Sequence, residues 1–212
     1  MFTDREDAGN RLAQELGKYR GAKNALILAI PRGGVAIGSA LAKALDLPLD
    51  VILTKKIGHP ADPEYAIGVV NLSSESIDEA AVKLHGVPRS YLDGEIRRIR
   101  RLLMERYRVY RGGGAPPSLR GKTVIIADDG IATGNTMMAA VRTARKEDAA
   151  RIVVAAPVGS PAAARRLREM ADEVVCLEEP DDFAAIGPCY ERFDQVGDDE
   201  AIRLLRESAA PR

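Results

Sequence analysis

The sequence predicts an α/β protein with a mostly parallel central sheet flanked by helices. Apolar, strand-length runs alternate with helical patterns along most of the 212 residues. The runs are continuous rather than alternating, as in Val124-Ile-Ile-Ala127, which suits strands covered on both faces. A chain of this length hides roughly 70% of its unfolded surface, enough for one sizeable core. The expectation is one domain over 1–212, with a helical insertion near 72–118 and a small C-terminal hood near 179–197.

The elements follow in order. Ala8, Leu12 and Leu16 recur at helical spacing behind the cap candidate Asp4, giving a helix over about 4–18. Strands are expected at 25–30, 50–54 and 66–70, with a helix near 35–45. Residues 72–118 hold no strand candidate. Within them, 89–111 read as one long amphipathic helix, with Ile96, Ile99, Leu102, Leu103 and Tyr107 roughly in a stripe. Gly112 to Gly114 and Pro116-Pro117 then break the chain. Strands at 123–128, 152–156 and 173–178 alternate with helices at 134–147 and 161–171. A last helix after Asp198-Asp199 carries Ile202, Leu204 and Leu205.

Composition narrows the function. Lysine plus arginine and aspartate plus glutamate both number 31, so no global charge draws the chain to nucleic acid or to an anionic membrane. No apolar run approaches the roughly 20 residues of a membrane span, and no basic, then apolar, leader opens the chain. Two cysteines and two histidines do not make a zinc site or a disulfide framework. These features predict a cytoplasmic protein. The helix at 89–111 carries eight arginines against three acids. Its first reading is a solvated basic face, its second a homodimer contact. RNA binding comes third, because the helix offers few aromatics for stacking.

One segment carries the chemistry. The strand at 123–128 runs into Asp128-Asp-Gly-Ile-Ala-Thr-Gly-Asn-Thr136. Small residues at the start of a helix present backbone N–H groups and the positive end of the helix dipole to an anion. Gly134 permits close approach, and Thr133 and Thr136 add hydroxyl donors. Asp128 and Asp129 cannot bind that anion. They suit sugar hydroxyls or a hydrated Mg²⁺. A phosphorylated sugar satisfies both halves. The spacing is neither a Walker loop nor a G-x-G-x-x-G fingerprint.

This segment resembles the phosphoribosyl pyrophosphate (PRPP) motif of type I phosphoribosyltransferases, and the resemblance covers roughly 25–195 apart from the 72–118 insertion. It implies that Asp128 and Asp129 hold the ribose hydroxyls while Ala132, Thr133, Gly134, Asn135 and Thr136 wrap the 5′-phosphate. Ile30-Pro-Arg-Gly-Gly-Val35 resembles the family's pyrophosphate loop, with Arg32 and the amides of Gly33 and Gly34 facing the diphosphate. Thr54 to Tyr65 resembles the mobile loop closed over the reacting centre, with Lys55 the first diphosphate contact and Lys56 the second. His59 in that loop is a proton carrier or a bystander. Lys55-Lys-Ile-Gly-x-Pro-x-x-Pro-Glu-Tyr-Ala-Ile-Gly68 narrows the resemblance to a branch described as predicted phosphoribosyltransferases. Phe183 matches the aromatic that stacks on a base, with core packing the alternative, while Tyr190 and Phe193 line the pocket or fill the hood.

The resemblance implies a Mg²⁺-dependent enzyme with Asp128, Asp129, Lys55 and Arg32 at the catalytic centre. It would move ribose 5-phosphate from PRPP to a nitrogen acceptor and release diphosphate. PRPP and a small-molecule acceptor are the implied partners. Two departures argue against a 6-oxopurine acceptor: Ala132 stands where those enzymes carry aspartate, and 157–161 hold no lysine. The alternative is a non-catalytic regulator that senses PRPP or a nucleotide on the same fold. A phosphatase or hydrolase lacks a nucleophile motif here.

Overall fold

The computed structural model describes residues 1–209. In chain order it holds α1 (Arg5–Glu15), β1 (Ala25–Ala29), α2 (Gly33–Leu45), β2 (Leu49–Val51), β3 (Lys55–His59), β4 (Asp62–Val70) and β5 (Glu75–Ile77). Then come α3 (Glu79–Leu84), α4 (Arg89–Arg111), β6 (Thr123–Ala127), α5 (Asn135–Lys146), β7 (Arg151–Val158), α6 (Pro161–Arg168), β8 (Glu173–Glu178) and α7 (Asp198–Ala209). The chain divides into two compact units, Met1–Ile52 with Pro117–Arg212, and Leu53–Pro116.

The first unit is built on five parallel strands in the order β2-β1-β6-β7-β8. β1 to β6 pair in register from Ala25 opposite Thr123 to Ala29 opposite Ala127. Alternate residues serve opposite faces. Leu26, Leu28, Val124, Ile126, Ile152 and Val154 join Met137, Val141 and Leu167 in one apolar cluster. Ile27, Ala29, Ile125, Val153 and Ala155, on the other face, are fully buried. Gly38 brings α2 onto that face, since a Cβ there would lie 2.8 Å from Leu49 and 3.0 Å from Ala29. Burial on both faces is why these strands read as unbroken apolar runs.

The strand order fixes where a ligand can sit. The chain leaves β1 toward β2 on one side and leaves β6 toward β7 on the other. Between them lies a topological switch point, where open α/β sheets bind ligands in the crevice beyond the carboxyl ends of their strands. The loops at those ends are 30–33 and 128–134.

The second unit is a three-stranded antiparallel sheet, β3-β4-β5, with α3 and α4. Here the structure departs from the sequence reading. The 66–70 run belongs to β4 of this sheet, not to the parallel one. Residues 54–65, expected as a loop, form the β3–β4 hairpin, with Lys55 opposite Val70 and His59 opposite Asp62. β5 falls inside 72–118, where no strand was expected. α4 spans 89–111 as anticipated, but it buries Leu92, Ile99, Leu103, Tyr107 and Tyr110, and Leu102 lies 42% exposed. Among the described residues no helix is long and apolar enough to cross a membrane.

At the amino ends of β7 and β8, Glu173 gathers three donors. Lys18 Nζ lies 2.8 Å from one oxygen, and the Tyr19 hydroxyl and Arg151 Nη2 donate to the other at 2.7 and 3.0 Å. Burial alone would raise the carboxyl, but the bonds from Lys18, Tyr19 and Arg151 outweigh it and bring it down to about 2. A depressed carboxyl contributes stability in full above its ordinary value of 4.5 and loses it as pH falls toward 2. Glu173→Gln is therefore expected to lower Tm by about 4 °C at pH 7. The gap to the parent should close between those two pH values, as read by thermal melts across pH.

Candidate functional site

Two helices of the first unit begin at the crevice, and neither is capped by a side chain. α2 starts after Arg32 and α5 after Gly134, with no side-chain hydrogen bond to the first-turn amides of either. In the same unit, Asp4 caps α1 and Ser160 caps α6. The first turn of a helix leaves N–H groups without partners, and an uncapped one offers them outward with the positive end of the dipole. Gly134 holds φ 77°, a left-handed conformation that a glycine adopts without strain.

Between the two helix starts lies the acid pair. Asp128 and Asp129 follow directly on β6, and the Gly33-Gly34 turn is pressed against them. A Cβ on Gly34 would lie 2.7 Å from the Ala127 carbonyl oxygen and 2.9 Å from Asp128 Cα. One on Gly33 would lie 1.9 Å from Asp129 Oδ2. The Pro31–Arg32 peptide is cis. Asp128 Oδ1 accepts the Asp129 amide at 2.9 Å. Burial, and then the neighbouring Asp129 carboxylate, push Asp128 well above the usual carboxylate range. Arg5 donates from Nε to Asp129 Oδ2 at 2.8 Å.

The loop between the acids and α5 is braced from outside. Ser160 Oγ donates to the Ala132 carbonyl at 2.6 Å, and Arg166 Nη2 donates to the Thr133 carbonyl at 2.7 Å. Ile131 exchanges backbone bonds with the 158–160 segment. With their carbonyls held, Ala132 and Thr133 stay exposed at the mouth. The segment after β8 packs on the backbone that carries the acids. The Tyr190 hydroxyl donates to the Asp129 carbonyl at 2.6 Å, and a Cβ on Gly130 would meet Ile186 at 2.6 Å.

The first unit thus brings together Arg32, Gly33, Gly34, Asp128, Asp129 and Ala132 to Thr136 at one end of its sheet. Arg32 Nη1 lies 3.9 Å from Asp198. Phe183 is half-buried in the turn after β8, its amide donating to the Pro180 carbonyl. Tyr190 is buried, and Phe193 lies under the Arg5 guanidinium. Lys55 and Lys56 belong to the second unit, on β3, where Lys56 pairs with Glu64 at 2.9 Å. His59 accepts the Ala61 amide on Nδ1 and packs edge-on against Tyr65 and His85. Sequence reasoning did not find Arg5, Ser160, Arg166 or Ile186. Ser160 before Pro161 signals a helix cap, but its reach to Ala132 depends on strand order.

A parallel sheet with an acid pair at its switch point, between two helix starts without side-chain caps, defines a class of doubly wound α/β domains. The family model described as "Phosphoribosyl transferase domain" matches residues 2–192. The chain belongs to that family. A Mycobacterium tuberculosis protein named "Putative phosphoribosyl transferase" is 38% identical over 206 residues, covering 97% of this chain and 46% of its own length. This chain therefore spans about half the length of the curated relatives it matches. The crystal structure of TT1426 from Thermus thermophilus is 39% identical and covers 99% of both chains, with a TM-score of 0.85. The AQ2163 protein of Aquifex aeolicus shares the fold at 14% identity and a TM-score of 0.50, over 84% of this chain and 77% of that one.

The packing of the turn on the acids generates a test. Gly34→Ala drives a methyl into backbone that cannot yield, so it should cost about 2 kcal/mol or more in stability. Gly33→Ala meets the Asp129 carboxylate instead, which yields by rotating away from Arg5 where backbone cannot, so it should fold with a smaller loss of Tm. Equal melting losses for the two would contradict this packing.

Proposed function

We propose that this domain transfers ribose 5-phosphate from PRPP to a nitrogen acceptor and releases diphosphate. The observation that carries the reading is the pair of uncapped helix starts flanking Asp128 and Asp129 at the switch point. One start suits the 5′-phosphate, the other the diphosphate, and the acids between them suit the ribose hydroxyls.

Each residue then has a task. The amides of Ala132 to Thr136 and the hydroxyls of Thr133 and Thr136 hold the 5′-phosphate. Asp129, and Asp128 beneath it, accept from the 2′- and 3′-hydroxyls. Arg32 and the amides of Gly33 and Gly34 face the diphosphate. Lys55 and Lys56, in the other unit, are assigned to the diphosphate on the family resemblance alone, and Phe183 to the acceptor base on the same ground. The reaction breaks the bond from the anomeric carbon to diphosphate oxygen and forms one to the acceptor nitrogen. Positive charge grows on the ribose beside the acids, and negative charge grows on the leaving group beside Arg32 and the glycine amides.

The donor set also bears on Mg²⁺. Among the described residues no three metal-binding side chains gather, while two adjacent carboxylates stand at the crevice. That set fits a hydrated ion carried chiefly by substrate oxygens with help from Asp128 or Asp129. When bound, the ion would supply charge neutralisation at the diphosphate. A cytoplasmic location belongs to the same proposal, supported by the free thiols of Cys176 and Cys189.

The test is incubation with PRPP, Mg²⁺ and a panel of nucleobases and amines, following diphosphate release. Asp129→Asn should raise the Kd for PRPP about tenfold by calorimetry. Lys55→Ala should mainly lower turnover. Tight PRPP binding with no diphosphate release from any acceptor would replace the transferase by a sensor.

A further inference from the structure

Arg5 holds Asp129 from a distant part of the chain, and its geometry is more specific than a surface ion pair. The two side chains are 12% and 14% exposed. Nε takes Asp129 Oδ2, Nη1 donates to the Asp194 carbonyl at 2.7 Å, and the guanidinium lies 3.9 Å from the Phe193 ring centroid. Three groups on two sides thus fix a planar fork that lysine cannot reproduce.

The backbone that carries Arg5 is fixed as well. Asp4 caps α1 through the amides of Glu6 and Asp7, and its other oxygen accepts from Arg192. The Phe2 amide donates to the Cys189 carbonyl, and the Glu191 amide returns to Phe2. The amino-terminal segment and the 189–194 segment are one stitched edge, and Arg5 is its projection onto the acids.

Oδ2 of Asp129 takes the Arg5 bond, and Gly33 packs so close that a Cβ there would lie 1.9 Å from it. Oδ1 receives no hydrogen bond among the described residues, so it is the oxygen with capacity left to accept from a ligand. We infer that Arg5 is a positioning residue, which sets the Asp129 carboxylate so that Oδ1 meets a sugar hydroxyl and links that orientation to the 189–194 segment. The inference rests on the PRPP reading of the site.

The experiment is titration of PRPP with Mg²⁺ into the parent chain, Arg5→Gln, Arg5→Lys, Asp129→Asn and the Arg5→Gln/Asp129→Asn double variant, with Tm measured for each. Arg5→Gln should weaken binding about tenfold and Arg5→Lys should recover part of it. In the Asp129→Asn background, Arg5→Gln should change Kd less than about twofold, because its route to the ligand is already cut. A purely structural role would weaken binding by the same factor in both backgrounds, and that result overturns the inference. So does a folded Arg5→Gln that binds like the parent. Should Arg5→Gln melt too low to titrate, Arg5→Lys against Asp129→Asn carries the same comparison. A parent chain that binds no PRPP overturns the site reading itself, and is thereby distinguished from a parent that binds while the Arg5 variants do not differ.

Discussion

The rest of the structure depends on one close approach. The turn after β1 lies on the end of β6 with no room for a side chain between them. At Gly34 the obstacle is the main chain of residues 127 and 128, and at Gly33 it is the carboxylate of Asp129. Without that contact the two loops of the switch point would part. The helix starts behind them would then no longer face a common space. The site is therefore a consequence of strand order and two missing methyl groups more than of any charged cluster.

The acid pair shows how the fold sets charge by position. Asp128 is packed beneath the turn, and its own oxygen is spent on the next amide. Burial and the adjoining charge both disfavour its ionised form. Asp129 has Arg5 within hydrogen-bond distance. Two neighbouring residues of one type thus stand in different electrostatic surroundings. Tyr190 adds a further tie from its hydroxyl to the Asp129 carbonyl, holding the backbone that Arg5 holds by the side chain.

Much of this was legible in the residues. β1, β6 and β7 are continuous apolar runs because each is covered on both faces, and the pattern of residues reports that directly. The loop at 128–136 was legible because its chemistry is local, an acid pair followed by small residues at a helix start. The β3–β4 hairpin was not. Lys55 to His59 holds one buried residue, Ile57, among exposed or half-exposed ones, so its pairing with β4 leaves little apolar signature. Arg5 was not legible either, because 124 residues separate it from Asp129 and only the parallel sheet brings them together.

The same logic bears on what the proposed site would read besides phosphate. In the 6-oxopurine enzymes the stretch after the strand that follows the acid motif is spent on a lysine that reads the base. Here that stretch is spent on the loop itself. Val158 and Ser160 bond the backbone of Ile131, Ser160 Oγ holds the Ala132 carbonyl, and Gly159 bonds Glu178. The polar groups of that segment are engaged in bracing the loop after the acids. Over Gly130, Ile186 supplies an apolar lid with no donor or acceptor. Main-chain amides recognise phosphate whatever side chains surround them, so on the proposed reading the phosphate half of the site tolerates such changes. Acceptor choice has no equivalent backbone code, and on the proposed reading it is assigned to the residues after β8, Phe183 among them.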